Sequence, residues 1–237
     1  MPAWPGISGY TPGIRAQSDR VDLVNALDGL KVQRGAEGRR LQSASLEDIE
    51  RDPQMQAYAL AVGQSVFGDN CATCHGAGGT GGKGYANLRD DIWLWGGKLD
   101  QIHRTISVGV RAGAEDRSTL MPSFGREAIL TQGQIGDLTE YVVALSGRKA
   151  DQAAVTRAHV VYTDECVDCH GDKGKGVVGK GAPDLTDQEW LYGSGRDAIE
   201  EQIWKGGGGV MPAWGARFDP ATLKALAVYI HANAGGR

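Results

Sequence analysis

Two C-x-x-C-H motifs, Cys71-Ala72-Thr73-Cys74-His75 and Cys166-Val167-Asp168-Cys169-His170, constrain this 237-residue chain more than any other feature, and they use all four of its cysteines. Two thiols one helical turn apart add to the two vinyl groups of a haem, and the next residue presents an imidazole to the iron. The spacing is therefore the attachment signature of c-type haem. A redox dithiol or half of a zinc site also carries C-x-x-C. Four-cysteine zinc sites, however, keep their pairs roughly 15–20 residues apart. Here 91 residues separate Cys74 from Cys166, and zinc would leave both histidines without a role. The expectation is two covalently bound haem c groups, tethered by Cys71 and Cys74 and by Cys166 and Cys169, with His75 and His170 as axial ligands.

The motifs sit in a longer repeat. NCATCHG, NLRDDIWLWGG, LMPSFG and a closing helical stretch at 129–147 are answered in the same order by ECVDCHG, DLTDQEWLYGS, VMPAWG and a stretch at 217–235. Cys71 and Cys166 lie 95 residues apart, Trp93 and Trp190 97, Met121 and Met211 90, Tyr141 and Tyr229 88. Two copies of one fold follow, at 53–147 and 152–237, joined by RKADQ at 148–152 and preceded by an arm and short helices over 1–52. Asp52-Pro53 predicts a helix start, with Ala59, Val62 and Val66 at helical spacing. Thr131 caps a stripe of Ile135, Leu138, Tyr141, Val142 and Leu145, ended by Gly147. Asp219-Pro220 opens its counterpart of Leu223, Leu226, Tyr229 and Ile230, stopped at Gly235. With little strand alternation between them, the fold class is all-α, two small domains in tandem.

Each haem of an electron carrier needs a sixth ligand, and a Met thioether raises the potential relative to a second His. Met121 lies 46 residues after His75 and Met211 lies 41 after His170, both in a Met-Pro-x-aromatic-Gly loop stiffened by Pro122 and Pro212. A lone Met is more often core filler. Two at matched positions in a repeat point to ligands, whereas Met55 lacks that context. His103 aligns with Glu200, which argues against a symmetric ligand role, and His159 and His231 have no partner motif. Arg111 reads as a propionate partner or a solvated arginine. Trp93, Trp95, Trp190 and Tyr192 are expected to line the haem faces, because aromatics make up only 7% of the chain while glycine supplies 36 residues. A core so poor in large side chains needs apolar volume from elsewhere.

Elsewhere the sequence mostly excludes. A net charge of −4 without a Lys/Arg stripe argues against nucleic acid as a partner. No apolar run is long enough for a transmembrane helix. MPAWPGISGYTPG is too interrupted by Pro and Gly for a signal peptide and reads as an extended arm, with Trp4 and Tyr10 as interfacial anchors or as surface packing. Val21, Val24, Leu27 and Leu30 suit a short amphipathic helix, and Ser45 with Asp48 a capping box. Arg34, Arg39 and Arg40 form a local positive cluster, read as a solvated face or a docking surface.

Taken together, the PAWPGISGYTPG arm, the paired C-x-x-C-H motifs, NLRDDIWLWGG, IHRTISVGVRAG, MPSFG, DLTDQEWLYG and GGVMPAWG resemble the dihaem c-type subunit, CcoP or FixP, of cbb3-type cytochrome c oxidases. The resemblance covers nearly the whole chain. It implies two tandem class I cytochrome c-like domains with an extended N-terminal arm. These would be held on the periplasmic face of the bacterial inner membrane by an anchor preceding that arm, here taken to be missing. They would work with the catalytic and monohaem subunits of the oxidase. Carried over by motif, His75 and His170 take Met121 and Met211 as second axial ligands. Pairing within each copy is the default, and the resemblance suggests a crosswise arrangement instead.

The function implied is a non-catalytic relay, from a cytochrome c or a quinol-cytochrome c reductase to the oxidase. The motifs alone also allow a free-standing dihaem cytochrome or the cytochrome subunit of a dehydrogenase, against which the PAWP arm argues. A dihaem peroxidase would need one iron with an open site, against which Met121 and Met211 argue. A zinc scaffold would show no Soret band.

Overall fold

The computed structural model describes residues 19–233; the arm with Trp4 and Tyr10, the side chains of Leu30 and Arg34, and Gly235 lie outside it. Among the described residues the regular structure is helical: α1 Asp19–Ser43, α2 Leu46–Arg51, α3 Pro53–Asn70, α4 Ala72–His75, α5 Leu99–Val108, α6 Gln132–Leu145, α7 Gln152–Glu165, α8 Val167–His170, α9 Arg196–Lys205 and α10 Pro220–Asn233, with a 3₁₀ turn at Glu115–Arg117. Only three isolated bridges interrupt the loops.

The capping chemistry expected from the sequence is present. The Asp52 carboxylate accepts from the backbone N–H groups of Gln54 and Met55 at 2.9 and 3.0 Å and starts α3, with Pro53 in its first turn. The Thr131 hydroxyl accepts from Gln134 N–H at the head of α6, and Ser45 accepts from Asp48 N–H at the head of α2. Each satisfies a backbone donor that the helix start leaves open. Helix α1 runs 25 residues, longer than the short helix the apolar spacing suggested, and its Val21, Leu23, Val24 and Leu27 are exposed.

The helices build two cores, and each core takes elements from both sequence copies. In the first, α3 and α5 pack with α10, burying Ala59, Phe67, Ile102 and Ile106 against Leu223, Leu226 and Ile230; Leu41 of α1 and Ile49 of α2 close it. In the second, α7 and α9 pack with α6, burying Ala158, Tyr162, Ile199 and Ile203 against Ile135, Leu138 and Val142. The closing helix of each copy thus completes the other copy's core. Each fully buried Leu or Ile in these seams contributes roughly 1.5–3 kcal/mol of burial. The exchange is tied down by polar contacts. Lys224 of α10 donates to the carbonyls of Leu41, Gln42 and Ala44 at the end of α1, and Glu140 of α6 pairs with Arg196 of α9.

Candidate haem sites

Helix α3 delivers the chain to Cys71, and a single turn, α4, carries Cys74 and His75; α7 and α8 do the same for Cys166, Cys169 and His170. His75 Nδ1 lies 2.9 Å from the Ala86 carbonyl oxygen and His170 Nδ1 lies 3.0 Å from that of Pro183. A carbonyl only accepts, so Nδ1 carries the proton and Nε2 keeps its lone pair, the form that ligates a metal. Burial also pulls the His170 pKa down and favours the neutral ring.

The first cysteine of each motif is shielded from water. Burial, the larger cause, pushes the Cys71 thiol up to about 11 and the Cys166 thiol up to about 12, so neither is a thiolate at neutral pH. Cys71 belongs to the first core and Cys166 packs on the second, so the two pairs do not converge. Among the described residues no cluster of three or more His, Cys, Asp or Glu side chains is arranged to hold a metal ion.

The methionine loops follow the exchange. Met211, from the second copy, packs on the first core, which contains Cys71, and Met121, from the first copy, packs on the second core, against which Cys166 also packs. Backbone pairing sets both loops. Val110 and Met211 exchange N–H···O bonds at 2.9 and 3.0 Å, and Gly207 N–H donates to the Met121 carbonyl at 2.8 Å. The turns that make room are glycines with positive φ, Gly109 at 72° and Gly206 at 58°. A Cβ on Gly109 would lie 2.3 Å from the Met211 carbonyl oxygen, and one on Gly206 2.2 Å from that of Pro122, so only glycine lets these backbones meet. The seam continues through Gly84 N–H to the Leu191 carbonyl at 2.7 Å and Gly179 N–H to the Leu94 carbonyl at 2.9 Å, the same contact made once by each copy.

Trp93 packs on the first core and Trp190 on the second, while Trp95 and Tyr192 turn to the seam. The Trp95 ring lies against Gly181 and beneath the guanidinium of Arg117, and the Tyr192 hydroxyl accepts from Gly209 N–H at 2.8 Å. Arg111 is half-buried and donates to two backbone carbonyls, those of Thr119 and Gly209. Gln202 is a site residue that sequence reasoning missed; its Nε2 lies 3.8 Å from the Met121 sulfur. Among the other histidines, His231 pairs with Glu50, His159 meets the Tyr141 ring, and His103 is part-buried on α5, its pKa lowered by burial.

The residues fit a haem on a further count. Arg148 Nη2 is buried without a hydrogen-bond partner, while its Nε donates to Ser146 and its Nη1 to the Ser194 carbonyl, above the Trp190 ring. A buried guanidinium donor left open beside a tryptophan suits a carboxylate such as a porphyrin propionate.

Comparison with known proteins gives the family. The family described as cytochrome c oxidase, cbb3-type, subunit III matches residues 153–230, and the cytochrome c family matches residues 60–146. The cbb3-type cytochrome c oxidase subunit FixP of Bradyrhizobium diazoefficiens is 49% identical over 240 residues, spanning all of this chain and 82% of the relative. Subunit CcoP of Azospirillum sp. strain B510 is 41% identical over 245 residues, spanning all of this chain and 83% of the relative. Subunit CcoP of Cereibacter sphaeroides is 39% identical over 237 residues, spanning 99% of this chain and 82% of the relative.

Proposed function

The chain belongs to the FixP/CcoP family, the electron-transfer cytochrome subunit III of cbb3-type oxidases, and from that premise we propose that it carries two covalent haems whose axial methionines are exchanged between its two halves. Cys71 and Cys74 would tether the first haem and Cys166 and Cys169 the second. His75 would pair with Met211 and His170 with Met121. When bound, each haem supplies a one-electron iron couple whose potential follows from its axial ligands, hydrogen bonding and burial.

The chain's own residues supply the rest. Ala86 and Pro183 hold the imidazoles in the ligating tautomer, Arg148 offers a buried donor to a propionate, and the shared seam fixes the two sites relative to each other. The observation that supports the pairing is that Met211 packs on the core containing Cys71, and Met121 on the core against which Cys166 packs. In the complex, the protein would stand on the periplasmic face of the inner membrane. It would take electrons from a cytochrome c or a quinol-cytochrome c reductase and pass them to the catalytic and monohaem subunits. Among the described residues no helix is long and apolar enough to cross a membrane.

The test is to replace Met121 and Met211 singly by Ala in the holoprotein and record which haem loses its Met-to-iron charge-transfer band. The expected result is that Met121→Ala strips the haem of Cys166/Cys169 and Met211→Ala that of Cys71/Cys74. The opposite assignment would establish pairing within each copy.

A further inference from the structure

Arg111 lies where the two exchanged methionine loops cross. Its Nη1 donates to the Thr119 carbonyl at 2.8 Å and its Nε to the Gly209 carbonyl at 2.6 Å. Thr119 stands two residues before Met121 and Gly209 two residues before Met211, so one planar guanidinium bridges equivalent points of both loops. The backbone is bent to achieve this. Arg111 has φ 52°, one of two non-glycine residues with positive φ among those described, a conformation held only where the surroundings enforce it. Space is also cleared for it. A Cβ on Gly208 would lie 2.7 Å from Arg111 Cζ, and Gly208 is the repeat counterpart of Arg111 in the Gly206–Gly209 run. At this pair of equivalent positions the first copy supplies a cation and the second a glycine.

We propose that Arg111 is a shared positioning residue for the two axial methionines, so that a single side chain sets how firmly both sulfurs stay on their irons. The proposal rests on the reading of Met121 and Met211 as axial ligands. An iron–thioether bond competes with motion of the loop that carries the sulfur. A rigid fork donating charge-assisted hydrogen bonds to both loops limits that motion in both, although the haems belong to separate cores. A lysine ammonium keeps the charge without the fork and cannot bridge both carbonyls in the same way.

The experiment uses the full chain with both haems attached and reads the Met-to-iron charge-transfer band and the potential of each haem. Three variants are compared with the wild type: Arg111→Gly, Arg111→Lys and Gln202→Leu. Arg111→Gly removes the guanidinium while suiting the positive φ, so a purely backbone role predicts unchanged or firmer ligation. The shared role predicts that both bands weaken together, with about a tenfold larger Met-dissociated fraction at each iron, and that both potentials fall. Arg111→Lys is expected to rescue one haem at most. Gln202→Leu removes the amide that reaches the Met121 sulfur and also donates to the Gly206 carbonyl, and is expected to act chiefly on the haem that Met121 serves.

Retention of both bands and potentials in Arg111→Gly would overturn the proposal. So would full recovery of both haems in Arg111→Lys. A wild-type protein without any Met-to-iron band would instead overturn the ligand reading on which the proposal stands.

Discussion

The two cores share a plan and differ in how they are held. The first is wrapped: α3 runs 18 residues, and Leu41 and Ile49 from α1 and α2, at 1% and 0% exposure, close it against α10. The second rests on a 14-residue α7 with α6 and α9, and is tied at its surface by Asp137–Arg157 and Glu140–Arg196. Their crossings differ as well. Helices α3 and α10 meet at Gly63, whereas the repeat counterpart of Gly63 on α7 is Ala158, fully buried against the second core. Polar tuning is one-sided: Gln202 reaches the Met121 sulfur, while its counterpart Thr105 donates to the Gln101 carbonyl. A duplicated fold can thus present two similar candidate haem sites in unlike surroundings, and surroundings are among the things that tune an iron's potential.

The exchange makes the sharpest prediction, because it reverses which half a terminal cut should damage. Ending the chain after Gly215 removes α10 and leaves Met211, α6, α7 and α9 in place. The first core should collapse, since Leu223, Leu226 and Ile230 are lost from it, while the second keeps its helices and Met121. Haem-resolved spectra of the truncated holoprotein check this. Loss of the Cys166/Cys169 haem with survival of the Cys71/Cys74 haem would break the comparison.

A matched pair of point substitutions asks the same question more gently. Leu226→Ala in α10 and Leu138→Ala in α6 remove equivalent side chains exposed at 0% and 1%. Each should destabilise by about 2–5 kcal/mol, the usual result of truncating a buried Leu. Leu226→Ala should lower the melting of the first core and Leu138→Ala that of the second, as followed by the two haem environments on heating. If each substitution acted on the core of its own sequence copy, the exchanged packing would be wrong.

Much of this was legible in the residues. The C-x-x-C-H motifs, the repeat, the caps at Asp52 and Thr131, and the apolar faces of α6 and α10 follow from local spacing, and local spacing is what survives into the fold. The exchange is not local. Two copies with interchangeable stripes and interchangeable Met-Pro loops satisfy the same pattern whether each closes on itself or on its twin, so periodicity cannot choose. Arg111 was singled out as a propionate partner or a solvated arginine, and its bridge between the loops was hidden for a related reason. Its partners are backbone carbonyls 8 and 98 residues away, which carry no side-chain signal. The visible clue was a cation in the first copy facing an all-glycine run in the second. Trp95 and Tyr192 were expected to line the haem faces; their contacts with Gly181 and Gly209 across the seam carried no sequence signal.

The helix crossings give a smaller test. A Cβ on Gly63 would lie 2.4 Å from Tyr229 Cβ and 2.5 Å from the Ala225 carbonyl oxygen, neither of them the far end of a flexible side chain. Gly63→Ala should force α3 and α10 apart and destabilise the first core by roughly 1–3 kcal/mol, despite the better helix propensity of alanine. Ala158→Gly in the second core opens no clash and should lose only about 1 kcal/mol from helix propensity and the missing methyl. Denaturant midpoints for the two variants check the ranking. Stabilisation by Gly63→Ala would mean that the crossing is looser than the structure has it.

The smallest expected difference is in acid. The Arg157 guanidinium donates to Asp137, and that of Arg196 to Glu140, which also accepts from Asp151 N–H; these contacts hold both carboxyls below their ordinary values. A carboxyl whose folded pKa is depressed adds stability that is complete above its unfolded value and lost as pH falls through the folded one. Both ties join α6 to α7 or α9, so they weaken together below about pH 4. In the first core, α10 meets α2 through the Glu50–His231 contact and α1 through Lys224 on three backbone carbonyls, while the Asp219 carboxyl, also held low, binds only within the start of α10 itself, on Thr222. The haem of the second core should therefore lose its native spectrum at a slightly higher pH than that of the first. Because Arg157 and Arg196 are about half exposed, the gap should be modest and should shrink in high salt. An acid titration with each haem followed separately decides it: coincident midpoints would assign these pairs no role in holding the exchanged helix, and the reverse order would place the weaker attachment in the wrapped core.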